Sequence, residues 1–443
     1  MESPATSSPV APGTRPAGGR CRRRTVDPEG TRPSDVVAAF FAAGLAMLGA
    51  AAAALVAFVV DGTWWLQWLA LHLALLGGVS QLVLGAAQFF VCAFLATTPP
   101  SRRLLIAQLA VWNLGTALVA VGIPVADRLL VDCGGGLIGL GLLLFAVSLR
   151  AMQRRSLQRA RWAVRWYQVS ASCLAAGALV GMLLAGGVAW RYGSLLGAHM
   201  ALNLVGWLGT AIVGTLHTFF PSLTGTRLRF ERLQGSTLAL WAFGVLAVTA
   251  SAAFSLDALA VVGWVALAVA AALLATNVLA SLRACAEPLS LPARMVALAQ
   301  GFLVVGLGVA VAAAAIDGAG GPLEPSIRPV LAALLVAGWI GLTVTGSLLH
   351  LLAVLARVRH LTRSLPAPRP VLDGVTTALC GVAVVAWALV AIDGLASLAP
   401  AALALRVAAT VLVGAHVLRA ALRVGRSLVP KRVARRSSAP AVR

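Results

Sequence analysis

The chain has 443 residues, of which 60% are hydrophobic and only 11% charged, and its mean hydropathy is +0.92. A soluble domain carries about twice that share of charge, so the composition excludes a water-soluble globular protein. A formal charge of +21 would suit a nucleic-acid binder, but its distribution along the chain points elsewhere.

Residues 1–33 are rich in Pro, Gly, Ser and Arg, without the apolar core and cleavage site of a signal peptide, and read as a disordered basic cytoplasmic tail. From residue 34 to 424, apolar runs follow one another, each long enough to cross a hydrocarbon core of about 30 Å at about 1.5 Å per residue. They fall near 36–60, 66–97, 104–124, 131–150, 167–190, 194–220, 235–254, 258–281, 296–316, 328–356, 374–392 and 400–422, and a second basic tail covers 425–443. The predicted fold is all-α, a polytopic membrane bundle of about twelve transmembrane helices. Trp64, Trp65 and Trp68, and Trp162, Trp166 and Tyr167, fit interfacial aromatic belts. The six cysteines stand singly, as small packing residues do, with no disulfide or metal spacing.

Numbering the loops alternately separates the basic residues. The tails and even-numbered loops hold all of the 35 Lys and Arg except Arg128, Arg191, Arg328 and Arg406. This is the positive-inside bias, which predicts a multi-pass protein of the plasma membrane with both termini cytoplasmic. The basic runs then serve topology and contact with anionic lipid of the bilayer, not nucleic acid.

An internal repeat orders the spans. The sixth reads GWLGTAIVGTLHTFF from Gly206, and the tenth GWIGLTVTGSLLHLL from Gly338, 132 residues on. The second carries a weaker copy, GGVSQLVLGAAQFF, from Gly77, 129 residues before the sixth. Three pseudo-repeats of four helices follow, with spans 2, 6 and 10 expected to meet at a central axis along a small and polar stripe: Gly77, Gln81, Gly85 and Gln88; Asn203, Gly206, Thr210 and Gly214; Trp339, Thr343, Gly346 and His350.

Ionisable groups at membrane depth tend to be functional. His72, His199, His217, His350 and His416 lie inside spans, whereas His360 lies in a basic loop. His72 and His199 sit near the outer surface and form the best candidate for a shared haem or metal site; His217 and His350, near the cytoplasmic ends, are weaker metal candidates. On an ideal helix His199 and His217, 18 residues apart, share a face, and His72 points about 180° from Gln81. All 14 acids lie in loops or at span ends, which argues against a carboxylate-coupled pump. Arg406 is expected to snorkel.

Twelve spans, cytoplasmic ends and a threefold repeat of four helices resemble subunit I of the haem-copper oxidase and nitric oxide reductase superfamily. The string GAHMALNLVGWLGTAIVGTLHTFFP, from Gly197 to Pro221, is similar to the sixth helix of divergent, oxidase-like actinobacterial membrane proteins, some of them fused to cupredoxin domains. The resemblance implies haem b or copper as cofactor, His72 as a haem ligand, and a cupredoxin or respiratory-chain protein as partner. It does not extend to the oxygen-reducing centre: glycine and tryptophan around Gly206 replace the family's His-Pro-Glu, span 7 lacks its histidine pair, and span 10 lacks His-x-His. No oxygen or nitric oxide reductase activity is expected, and the role implied is electron transfer, metal or haem handling, or gas sensing. The alternatives are a carrier of a small solute along the axis of spans 2, 6 and 10, or a cofactor-free structural partner of a respiratory or copper protein.

Overall fold

A computed structural model describes residues 32–157, 161–359, 369–392 and 395–428. The two tails, apart from their residues nearest the bundle, and the solvated-loop reading of His360 lie outside the described residues. Twelve helices among those described are long and apolar enough to cross a membrane: α1 (Pro33–Asp61), α2 (Trp64–Phe94), α3 (Arg102–Gly122), α4 (Arg128–Arg155), α5 (Val164–Ala185), α6 (Leu195–Leu223), α7 (Leu233–Phe254), α8 (Asp257–Ala284), α9 (Leu291–Leu323), α10 (Arg328–Val358), α11 (Pro370–Val390) and α12 (Ala396–Val424). The chain is an all-α polytopic membrane bundle. Its helices start where short oxygen-bearing side chains can take up orphan amides. Ser101 accepts from the Leu104 N–H, Asp127 from Leu130 and Ser194 from Gly197. α1 stops at Gly62, whose φ of 74° is left-handed.

Lipid is as apolar as leucine, so helices in a bilayer are held by close packing and interhelical hydrogen bonds. Large side chains such as Val59, Val60 and Val411 accordingly stay on the outside. Backbones come closest at paired glycines. A Cβ on Gly115 of α3 would stand 2.8 Å from the Gly134 carbonyl oxygen of α4, and one on Gly134 2.8 Å from the Gly115 oxygen. The same notch recurs between α7 and α8, where a Cβ on Gly244 would lie 2.9 Å from the Gly263 oxygen. Both glycines of the second pair are displaced by 129 residues from those of the first, the offset already seen between α2 and α6.

The glycines of α2, α6 and α10 also act as notches, but for a different neighbour than expected. A Cβ on Gly77, Gly206 or Gly338 would meet Met47, Cys173 or Phe302, and one on Gly85, Gly214 or Gly346 would meet Phe40, Trp166 or Met295. In each repeat the two contacted residues are seven apart on the first helix, α1, α5 or α9. The stripe predicted to face the axis therefore packs within its own repeat, because only hydrogen side chains let the first helix approach.

Each of these three helices also widens into a π-helical stretch, Leu73–Val79 in α2, Ala201–Gly209 in α6 and Ala332–Gly341 in α10. The indole of Trp112 donates to the Leu76 carbonyl at 3.2 Å, and that of Trp241 to the Val205 carbonyl at 3.2 Å. Donors and acceptors are again 129 residues apart. Trp207 donates to Ser80 Oγ at 2.8 Å, tying α6 to α2. One repeat on, Trp339 lies against Gly209, where a Cβ would stand 3.1 Å from its ring, and its buried N–H has no partner among the described residues.

Two outcomes follow for thermal unfolding in detergent. Gly134→Ala lowers the midpoint through overpacking of about 1–3 kcal/mol, whereas Gly136→Ala, with nothing within 4 Å of its new Cβ, leaves the midpoint unchanged or raises it. Trp241→Phe strands a buried carbonyl contact and costs about 1–3 kcal/mol; Trp339→Phe, which breaks no hydrogen bond, costs clearly less.

Candidate functional site between α2 and α6

α2 and α6 enter the bundle from the same end, and each carries a histidine in its first turns. At about 4.4 residues per turn a π stretch advances by about 82° per residue instead of 100°. Over Leu73–Val79 the lag brings His72 from opposite Gln81 to within about 60° of it, and this corrects the ideal-helix expectation for His72. Its ring centre lies 6.4 Å from that of His199, with the planes 29° apart. Trp68 stacks on the other side of His72 at 4.1 Å.

Both rings are held by backbone carbonyls, which settles their tautomers. His72 Nδ1 is 2.8 Å from the Trp68 oxygen and His199 Nδ1 2.9 Å from the Gly177 oxygen on α5. A carbonyl only accepts, so each Nδ1 carries the proton and each Nε2 keeps its lone pair. Asn203 donates to the His199 carbonyl at 2.7 Å and its amide lies beside the ring. Gly181 leaves room behind the imidazole, where a Cβ would stand 2.9 Å from Cε1. Imidazoles that ligate metals are oriented in this way, by an N–H given to a carbonyl or carboxylate.

The other predicted residues are not gathered here. The π stretch of α6 lies between His199 and His217 and breaks the shared face expected of them. His217 accepts at Nδ1 from Asn277 of α8 at 3.1 Å, so its proton sits on Nε2, which is buried without a partner. This tautomer offers a hydrogen where His72 and His199 offer a lone pair. His350 meets the edge of Phe219 at 5.5 Å between ring centres. Gln81 exchanges hydrogen bonds with Asn113 of α3 at 3.1 and 3.2 Å, Gln88 donates to Gln108 at 3.3 Å, and Gln300 of α9 donates to Thr343 at 3.4 Å. Thr210 is buried with its hydroxyl unpaired. Arg406 does not snorkel; its guanidinium lies 5.0 Å from the ring centre of Trp387.

Where α2, α6 and α10 converge, a cavity of about 60 Å³ is walled mainly by apolar side chains such as Leu82, Ala211 and Val344. Of the predicted polar stripe only Thr343 reaches it, beside Ser347 and a Tyr167–Thr215 hydroxyl pair at 2.7 Å. Among the described residues no three His, Cys, Asp or Glu side chains come together as a metal site. The His72–His199 pair is thus the one predicted constellation whose members meet.

These features define a polytopic helical membrane protein with a facing pair of neutral imidazoles near one end. No family model matches the chain, and no curated protein matches it. The supporting tryptophans, Trp112 and Trp241, were missed in reading the sequence for stripes, although WNLG and WAFG stand at the repeat offset.

The tautomers are directly testable. In solid-state NMR of ¹⁵N-histidine-labelled protein, His72→Ala and His199→Ala each remove a signal of the Nδ1–H form, and His217→Ala removes one of the Nε2–H form.

Proposed function

We propose that His72 and His199 hold one haem iron between them, and that the protein passes electrons at a divergent oxidase-like site of the plasma membrane. What supports the reading is the pair of free Nε2 atoms on carbonyl-anchored rings. An ion about 2 Å from each nitrogen sets the ring centres about 6 Å apart, and the observed separation is 6.4 Å. The number of ligands favours haem over a bare ion. A macrocycle supplies the remaining donors, so two axial imidazoles suffice, whereas a copper ion would have only these two.

In such a site the chain's own residues do the positioning. The Trp68 and Gly177 carbonyls keep both Nδ1 protons in place, which holds Nε2 free and raises its basicity. Trp68 closes one face of His72. Bound haem would supply one-electron redox chemistry, and a six-coordinate iron suits electron transfer better than gas binding. A cupredoxin or respiratory-chain protein is the electron partner that the resemblance to oxidase subunit I implies. The basic-residue bias places both termini in the cytoplasm and the histidine pair toward the outer face.

The visible spectrum of protein purified in mild detergent tests this. A Soret band is expected, and it is lost in His72→Ala and in His199→Ala but kept in His350→Ala. Copper that disappears in the same two variants, without a Soret band, replaces haem by copper. A colourless, metal-free protein ends the redox reading. The second reading, a path for a small solute along α2, α6 and α10, draws on the hydroxyls of the central cavity; it requires flux in reconstituted vesicles that falls when Ala211→Phe fills that cavity.

A further inference from the structure

The junction one repeat on, between α6 and α10, holds no histidine pair but an elongated cavity of about 110 Å³. Its α10 wall is Arg328, Leu331, Ala332, Leu335, Val336, Trp339 and Ile340, a continuous stripe at helical spacing over three turns. The α6 wall runs parallel to it from Gly197 to Val205, and the floor includes Trp241, Trp264 and Leu307. Small residues open the space. A Cβ on Gly197 would approach Leu323 to 2.7 Å, and Gly209, just below, occupies the position where α2 carries Ser80. At the α2–α6 junction the Trp207–Ser80 bond closes the corresponding level.

The shape and charge of this cavity identify its occupant. Arg328 is the only charged side chain in the lining, it is exposed, and it makes no side-chain hydrogen bond or ion pair among the described residues. From Arg328 to Trp339 the helix rises about 16 Å, close to the depth of one leaflet, about 15 Å. The cavity is therefore an apolar slot one leaflet deep with a guanidinium at its surface end. We infer that it binds one chain of an anionic phospholipid, with the phosphate on Arg328 and the acyl chain between α6 and α10. Guanidinium pairs with phosphate oxygens in a bidentate, charge-assisted manner, and a bilayer supplies phospholipid at the level where Arg328 stands. A free fatty acid has the same type of chain but reaches this site only as a minor membrane component.

The test is native mass spectrometry of the full chain in detergent, with palmitoyl-oleoyl phosphatidylglycerol and phosphatidylcholine added in equal amounts. One phosphatidylglycerol is expected to be retained in preference to phosphatidylcholine. Arg328→Gln loses that preference by about tenfold, the worth of a charge-assisted hydrogen bond, with no change in the lipid-free unfolding midpoint because Arg328 has no partner to lose. Ala332→Trp fills the slot and abolishes retention of both lipids; if this variant unfolds, Leu331→Phe serves instead. His199→Ala, which touches only the neighbouring junction, retains the lipid as the unaltered chain does, so failure of the haem reading leaves this result intact. Equal retention of the two lipids, an unchanged preference in Arg328→Gln, or occupancy by added palmitate with no phospholipid would each overturn the assignment.

Discussion

A helix in hydrocarbon has to satisfy its backbone from within, because no water is available to take up a displaced carbonyl. A π-helical turn strains this rule, since it lengthens the hydrogen-bonded ring and redirects the carbonyls it leaves behind. In this protein the strain is met by neighbours: the indoles of Trp112 and Trp241 reach into the widened turns of α2 and α6, and the Ser80 hydroxyl takes the Leu75 carbonyl at 2.8 Å. The two functional junctions lie beside these turns. His72 immediately precedes the π stretch of α2, and the slot between α6 and α10 is walled by the π stretches of both.

The three repeats share a frame and differ in what they place at the junctions. The α3–α4 and α7–α8 glycine notches and the two indole–carbonyl bonds keep one offset, as expected if each unit of four helices must solve the same packing problem without a hydrophobic driving force. Departures from that symmetry are where ligands fit. Ser80 gives Trp207 a partner and closes one level, whereas Gly209 leaves Trp339 without one and the space beside it open. Ser80 could not simply be copied into position 209, because the rings of Trp241 and Trp339 would lie 2.9 and 3.1 Å from its Cβ.

Electrostatics sort the histidines in the same way. An imidazole at membrane depth is inexpensive only when neutral, so what distinguishes one from another is the nitrogen left free. A carbonyl partner leaves a lone pair, as at His72 and His199; an amide N–H partner leaves a hydrogen, as at His217. Depth and residue type are alike in the two cases, and the partner alone changes what the ring can bind.

Length and composition by themselves determined the class of this protein. Each apolar run must cross the bilayer or be expelled from water, so twelve spans, their order and their approximate ends were legible, as was the recurrence of glycine in α2, α6 and α10. The direction of those glycines was not. Small residues mark a close approach without naming the partner, and α1, α5 and α9 became visible as partners only once Phe40, Trp166 and Met295 were seen against them. Angular position was the other quantity that sequence withheld. It was computed at 100° per residue, and a π stretch of seven to ten residues makes that sum wrong by a third of a turn or more. No residue type signals such a stretch, because it is stabilised by indoles and hydroxyls from helices distant in sequence. Tertiary packing therefore decided that His72 faces His199 and that His217 does not share their side.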